Sequence, residues 1–102
     1  MAMLHTVNKS PFEKTSLATC LRLAKHGSAI LLIEDGVYAA TRGTSVEQHI
    51  KAATRHCDVY VLGPDLSARG LDADQLIEKI KVVGYGEFVD LAVAHGRVQC
   101  WL

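Results

Sequence analysis

Residues 29 to 33 read Ala-Ile-Leu-Leu-Ile, an apolar run with no polar alternation inside it. A strand with one wet face alternates apolar and polar side chains. A run without alternation has to be covered on both faces, the condition of strands inside a parallel sheet flanked by helices. The run closes on the acidic turn Glu34-Asp35-Gly36 and falls far short of the roughly 18 residues of a membrane-spanning helix. The remainder of the chain must therefore supply helices for both faces.

Periodicity supplies them. Met3 to Val7 reads as a first strand and runs into the polar turn Asn8-Lys9-Ser10-Pro11. Phe12 to Lys25 then places Leu17, Leu21 and Ala24 at helical spacing, with His26-Gly27 as a stop. Thr44 or Ser45 caps a second helix whose Val46, Ile50, Ala53 and Cys57 share a stripe. Val59 to Leu62 is a strand stopped by Gly63-Pro64-Asp65, and Leu66 to Leu71 a short turn or helix. Asp72 to Gln75 caps a brief helix toward Glu78, and Ile80 to Val83 is a further strand. Tyr85 to His95 is a last helix, ended by Gly96 and followed by a terminal strand from Val98 to Leu102. Val37 to Ala40 is apolar without a decisive period. Short strands alternating with helices, through connections too long for hairpins, predict an α/β fold: a three-layer α/β/α sandwich on a small, mostly parallel sheet, one domain across residues 1–102.

Eleven Lys and Arg balance eleven Asp and Glu, interspersed along the chain, so there is no electrostatic footprint for nucleic acid or an anionic membrane. Direct binding to either is not expected. Apolar residues make up 49% of the sequence, a surplus for so small a domain that a buried subunit interface explains.

Cys20, Cys57 and Cys100 form no C-x-x-C pair, and with no secretory signal pattern the expected compartment is the reducing cytoplasm. The five histidines show neither i, i+4 pairing nor a carboxylate at metal-ligand spacing, so no metal site is expected. Gly84-Tyr85-Gly86 lacks the third glycine of a dinucleotide fingerprint, no Walker-type loop occurs, and the serines lack a G-x-S-x-G setting, so no cofactor and no serine hydrolase is predicted. Glu34-Asp35-Gly36 closes a parallel strand, where ligands bind in such sheets, but a plain tight acidic turn is the favoured account.

Cys20 is the candidate for chemistry. It lies near the edge of the Leu17-Leu21-Ala24 stripe, which predicts a sulfur partly buried and partly accessible. It can then be a reactive, sulfur-carrying thiol or a small core residue. On that placement Cys20→Ser should cost no more than about 1 kcal/mol. Cys57, on a core stripe, and Cys100, on a terminal strand, read as packing residues.

Four stretches together resemble one family: Leu4 to Phe12, Leu31 to Ala40, Val59 to Leu62 with Asp65 to Leu71, and Tyr85 to Leu91 followed by Trp101. In this order they are similar to the DsrH/TusB family over the whole chain. The resemblance implies a DsrEFH-like, flavodoxin-like fold and a subunit of a cytoplasmic sulfurtransferase relay, an α2β2γ2 heterohexamer with a DsrE/TusD-like and a DsrF/TusC-like homologue. Sulfur travels there as a cysteine persulfide, exchanged with a DsrC/TusE-like carrier. In the larger sister subunit the acceptor cysteine ends the strand corresponding to Val59–Leu62, where this chain reads Gly63-Pro64. A cysteine at position 20 resembles the DsrH branch, which implies dissimilatory sulfur oxidation. The alternatives are a TusB-type subunit of the tRNA wobble-uridine 2-thiolation relay, or a purely structural subunit whose partner carries the acceptor.

Overall fold

The computed structural model describes residues 3–12 and 14–102. Five strands alternate with helices: β1 Leu4–Val7, α1 Ser16–Leu23, β2 Ala29–Leu32, α2 Glu47–Ala53, β3 Asp58–Leu62, α3 Gly63–Ala68, β4 Lys81–Val83, α4 Tyr85–His95 and β5 Val98–Trp101. All strand pairs are parallel, in the order β4-β3-β2-β1-β5. The chain thus steps outward from β1 to β4 and then returns to place β5 on the free side of β1. This puts its reversal between β1 and β5.

The run that predicts a doubly covered strand is one. Every residue of β2 is buried, as is every residue of β1. On one face, Val7, Ile30, Leu32, Val59 and Val61 pack with Leu17 and Cys20 of α1, Ile50 and Ala53 of α2, and Leu66 of α3. On the other, Leu4, Ala29, Leu31, Leu62 and Val83 pack with Phe88, Leu91 and Ala92 of α4 and with Ile33 and Tyr60. The three layers are therefore unequal, and α4 covers its face alone. None of its residues is fully buried.

Turn chemistry shortens the expected elements. The helix read over Phe12 to Lys25 is confined to α1, because Ser10 takes the backbone: its Oγ accepts from Phe12 N–H and its carbonyl from Lys14 N–H. Glu13 of that expected helix lies outside the described residues. Glu34–Ala40 is a 3-10 helix that buries Gly36, Val37, Ala39 and Ala40. It can lie so close only because Gly36 has no side chain: a Cβ there would stand 2.2 Å from the Val7 carbonyl oxygen. The brief helix after Asp72 is a 3-10 turn, Ala73–Gln75, closed by the Gln75 side chain on the Asp72 N–H. Pro64 opens α3 at a helical first-turn position, where its missing N–H costs nothing.

Candidate functional site

A parallel sheet gathers all its strand carboxyl ends on one edge, and ligands in such folds bind where the chain reverses. Here that is the β1/β5 seam. Asn8 follows β1, and its Oδ1 is buried with no hydrogen-bond partner among the described residues. Behind it, Trp101 Nε1–H donates to His5 Nδ1 at 3.0 Å, joining the two strands. Ser16, opening α1, donates its hydroxyl to the Leu102 carbonyl at 2.8 Å.

His5 is 4% exposed, and burial lowers its pKa below the ordinary 6.5. It is neutral in the folded chain, Nδ1 accepting from tryptophan and the proton on Nε2. The unfolded chain therefore binds a proton more readily, so the contribution to stability is present above about pH 6.5 and is lost as pH falls through the lower folded value. Urea midpoints measured from pH 7.5 to 5 should fall more steeply for the wild type than for His5→Asn.

At the end of β2, Glu34 holds a positive φ of 49° and donates its N–H to Asp65 Oδ2 at 2.6 Å. Arg69 reaches Asp35 Oδ1 with Nε at 3.0 Å and the Asp65 carbonyl with Nη1 at 3.3 Å. The acidic turn and the Asp65-to-Arg69 stretch are thus one brace, and the exposed part of it, Asp35 with Arg69, adds less than about 1 kcal/mol. At the end of β3, Gly63 and Pro64 start α3 directly. None of the three cysteines stands at that edge: Cys20 is inside α1, Cys57 precedes β3 and Cys100 is in β5.

The cysteines sit otherwise than their spacing suggests. Cys20 is 0% exposed, on the inward side of α1 with Leu17, and not at the stripe's edge. Burial, reinforced by nearby Cys57, pushes its thiol up to about 12, so at neutral pH it holds no nucleophilic thiolate. Cys57 is buried as expected, its thiol donating to the Lys25 carbonyl at 3.4 Å, and burial raises its pKa too. Cys100, expected to pack, is exposed on edge strand β5. Alkylation of the native chain should modify Cys100 quickly and the other two only on unfolding. Cys20→Ser should cost about 2 kcal/mol, above the sequence-based figure, because it strands a hydroxyl in an apolar core. Cys20→Ala should cost less, and urea titration of both variants checks the difference.

His26 and His56 stack with ring centroids 4.6 Å apart, and Gly27 N–H donates to the His56 carbonyl at 2.8 Å. No sequence spacing announces this pair. Among the described residues no group of three or more His, Cys, Asp or Glu is arranged to hold a metal, and no helix is long and apolar enough to cross a membrane.

A family model described as "DsrH like protein" matches residues 9–98. The protein TusB of Erwinia tasmaniensis is 43% identical over 100 residues, covering 97% of this chain and 100% of that protein. TusB of Escherichia coli K12 is 39% identical and TusB of Pectobacterium parmentieri 37%, each over 99 residues with the same coverage. Among solved structures, the ychN protein from Escherichia coli superposes with a TM-score of 0.85 at 20% identity, covering 98% of each chain. A protein of unknown function from Methanobacterium thermoautotrophicum gives 0.77 at 19% identity, covering 97% of this chain and 96% of that one. At such identities these structures speak for the fold.

Proposed function

This chain belongs to the DsrH/TusB family, and from that premise we propose that it is a TusB-type subunit of a cytoplasmic sulfur relay serving 2-thiolation of the tRNA wobble uridine. The observation that carries this reading is the full-length similarity to TusB proteins, up to 43% identical. The sulfur-oxidation branch drew its support from Cys20, and a thiol fully buried and raised to about 12 lends that branch nothing.

The same burial favours a chain that contributes surface and not the acceptor. In this reading the persulfide forms on a DsrE/TusD-like partner, whose strand end carries a cysteine where this chain has Gly63-Pro64. A DsrF/TusC-like partner completes a complex with two copies of each subunit, and a DsrC/TusE-like carrier takes the sulfur onward. The subunit face is α4, whose outer side presents Tyr85, Val89 and Val93 at 61%, 61% and 77% exposure, one helical turn apart. An apolar stripe of that kind on a helix that already lacks burial marks an interaction site.

The test is complementation. A bacterium lacking its own TusB is given this chain together with its two sister subunits, and 2-thiouridine in its tRNA is quantified by mass spectrometry of nucleosides. Wild type and Cys20→Ala should both restore the modification. If wild type restores nothing, the tRNA branch falls; if a folded Cys20→Ala variant alone fails, Cys20 carries sulfur after all.

A further inference from the structure

On the face of the sheet opposite α4, a groove of about 440 Å³ runs between α1 and α2. Its floor is apolar, with Leu21, Ala18 and Ala52 among its residues. Its ionisable residues are Lys14, Arg22, His49 and His56, and among the described residues no carboxylate lines it. In a chain whose Lys and Arg balance its Asp and Glu eleven to eleven, a lining with Lys14 and Arg22 and, among the described residues, no carboxylate is a local excess of positive charge. Lys14 and Arg22 are both exposed, and neither is in an ion pair among the described residues. His56 is held in place by its stack on His26.

We propose that this groove docks an acidic amphipathic segment of a partner protein, lying as a short helix with its apolar side on the alanine and leucine floor. Glutamates or aspartates along the flanks of that segment meet Lys14 and Arg22, with His49 and His56 offering ring nitrogens as hydrogen-bond partners. The spread of the bases selects a segment over a small acid. Lys14 lies two residues before α1 and Arg22 in its last turn, so the two stand toward opposite ends of a helix about 12 Å long, whereas one carboxylate reaches one of them. Small floor residues let a helix approach closely, the geometry of helix-in-groove recognition. This surface is separate from the Tyr85-Val89-Val93 stripe of α4 and is suited to a different kind of contact: the stripe offers apolar area, whereas the groove adds long-range attraction that salt weakens. The proposal stands whichever complex the chain enters.

The test uses the full chain, by itself and in the complex with its sister subunits. The probe is a fluorescein-labelled synthetic helix of about four turns, leucines on one side and glutamates on both flanks, compared with the same peptide carrying lysines for glutamates. Fluorescence anisotropy should show the acidic peptide binding about tenfold tighter or more, with an affinity that falls as salt is raised. Lys14→Glu with Arg22→Glu should reverse the preference, and the milder Lys14→Gln with Arg22→Gln should abolish it. Both pairs are exposed positions, and circular dichroism verifies that each variant is folded. Equal binding of the two peptides, or acidic-peptide affinity unchanged in the charge-altered variants, would overturn the proposal. So would saturable binding of decanoate at the groove with no binding of the peptide, which would assign the site to a small apolar acid.

Discussion

Replacing Gly36 with alanine should remove most of the stability of the chain. The new Cβ would stand 2.2 Å from the Val7 carbonyl oxygen, 3.0 Å from its carbon and 3.5 Å from Asn8 N. All three are backbone atoms that no rotamer change can move aside. The Val7 oxygen is further fixed by accepting the N–H of Ile33 at 3.0 Å. Relief requires either that the Glu34–Ala40 helix lift away, exposing Val37, Ala39 and Ala40, each 0% exposed at present, or that β1 and β2 part. Overpacking of a yielding core costs about 1–3 kcal/mol; an unyielding backbone clash belongs at or above about 3, a large share of the roughly 5–15 kcal/mol that holds a domain together. Urea titration should show a midpoint shifted far down, or no folded chain. Gly86→Ala provides the contrast. Nothing lies within 4 Å of its added Cβ, and inside α4 alanine should gain about 0.5–1 kcal/mol over glycine. A Gly36→Ala chain that melts with the wild type would mean that this close approach is not needed.

Val89→Glu combined with Val93→Glu should abolish co-purification with the sister subunits while leaving the fold intact. Both side chains are mostly in water, so the isolated chain loses little by the change. In the proposed complex the same positions would be the desolvated centre of an interface, where two unpaired carboxylates cost several kcal/mol, a weakening of about a hundredfold or more. The wild type expressed by itself should self-associate through this stripe, and the double variant should sediment as a monomer. Analytical ultracentrifugation and a pull-down read the two effects separately. A wild type that is monomeric by itself and ignores its homologues would remove α4 as the subunit face.

Residues 29–33 and Tyr85–His95 show how much of the fold was legible in local pattern. An unalternating apolar run demands two covers, and the structure provides them; the last helix has its expected bounds because Gly96 takes a left-handed conformation after it. What pattern cannot carry is the partner across space. The depth of Cys20 depends on which strands lie beneath α1, so a residue at the margin of a helical stripe is in fact among its deepest. Cys100 is exposed on β5, an edge strand, and which strand forms the edge is a fact of sheet order. The stacked His26 and His56 and the basic groove between α1 and α2 are assembled from separate stretches, each unremarkable by itself.

The pairing of β1 with β5 also sets an order of events during synthesis. Strand β1 has a neighbour on one side from β2, yet the contact that closes its other side, His5 to Trp101, joins residues 96 positions apart. Until Val98–Trp101 has been made, the free side of Leu4–Val7 presents unpaired amides and carbonyls to any other strand. Closure over so long a loop is slow, and at about 5–20 residues per second of translation the open edge persists for seconds. Nascent chains on one messenger are thus exposed to pairing with each other at β1 until β5 arrives.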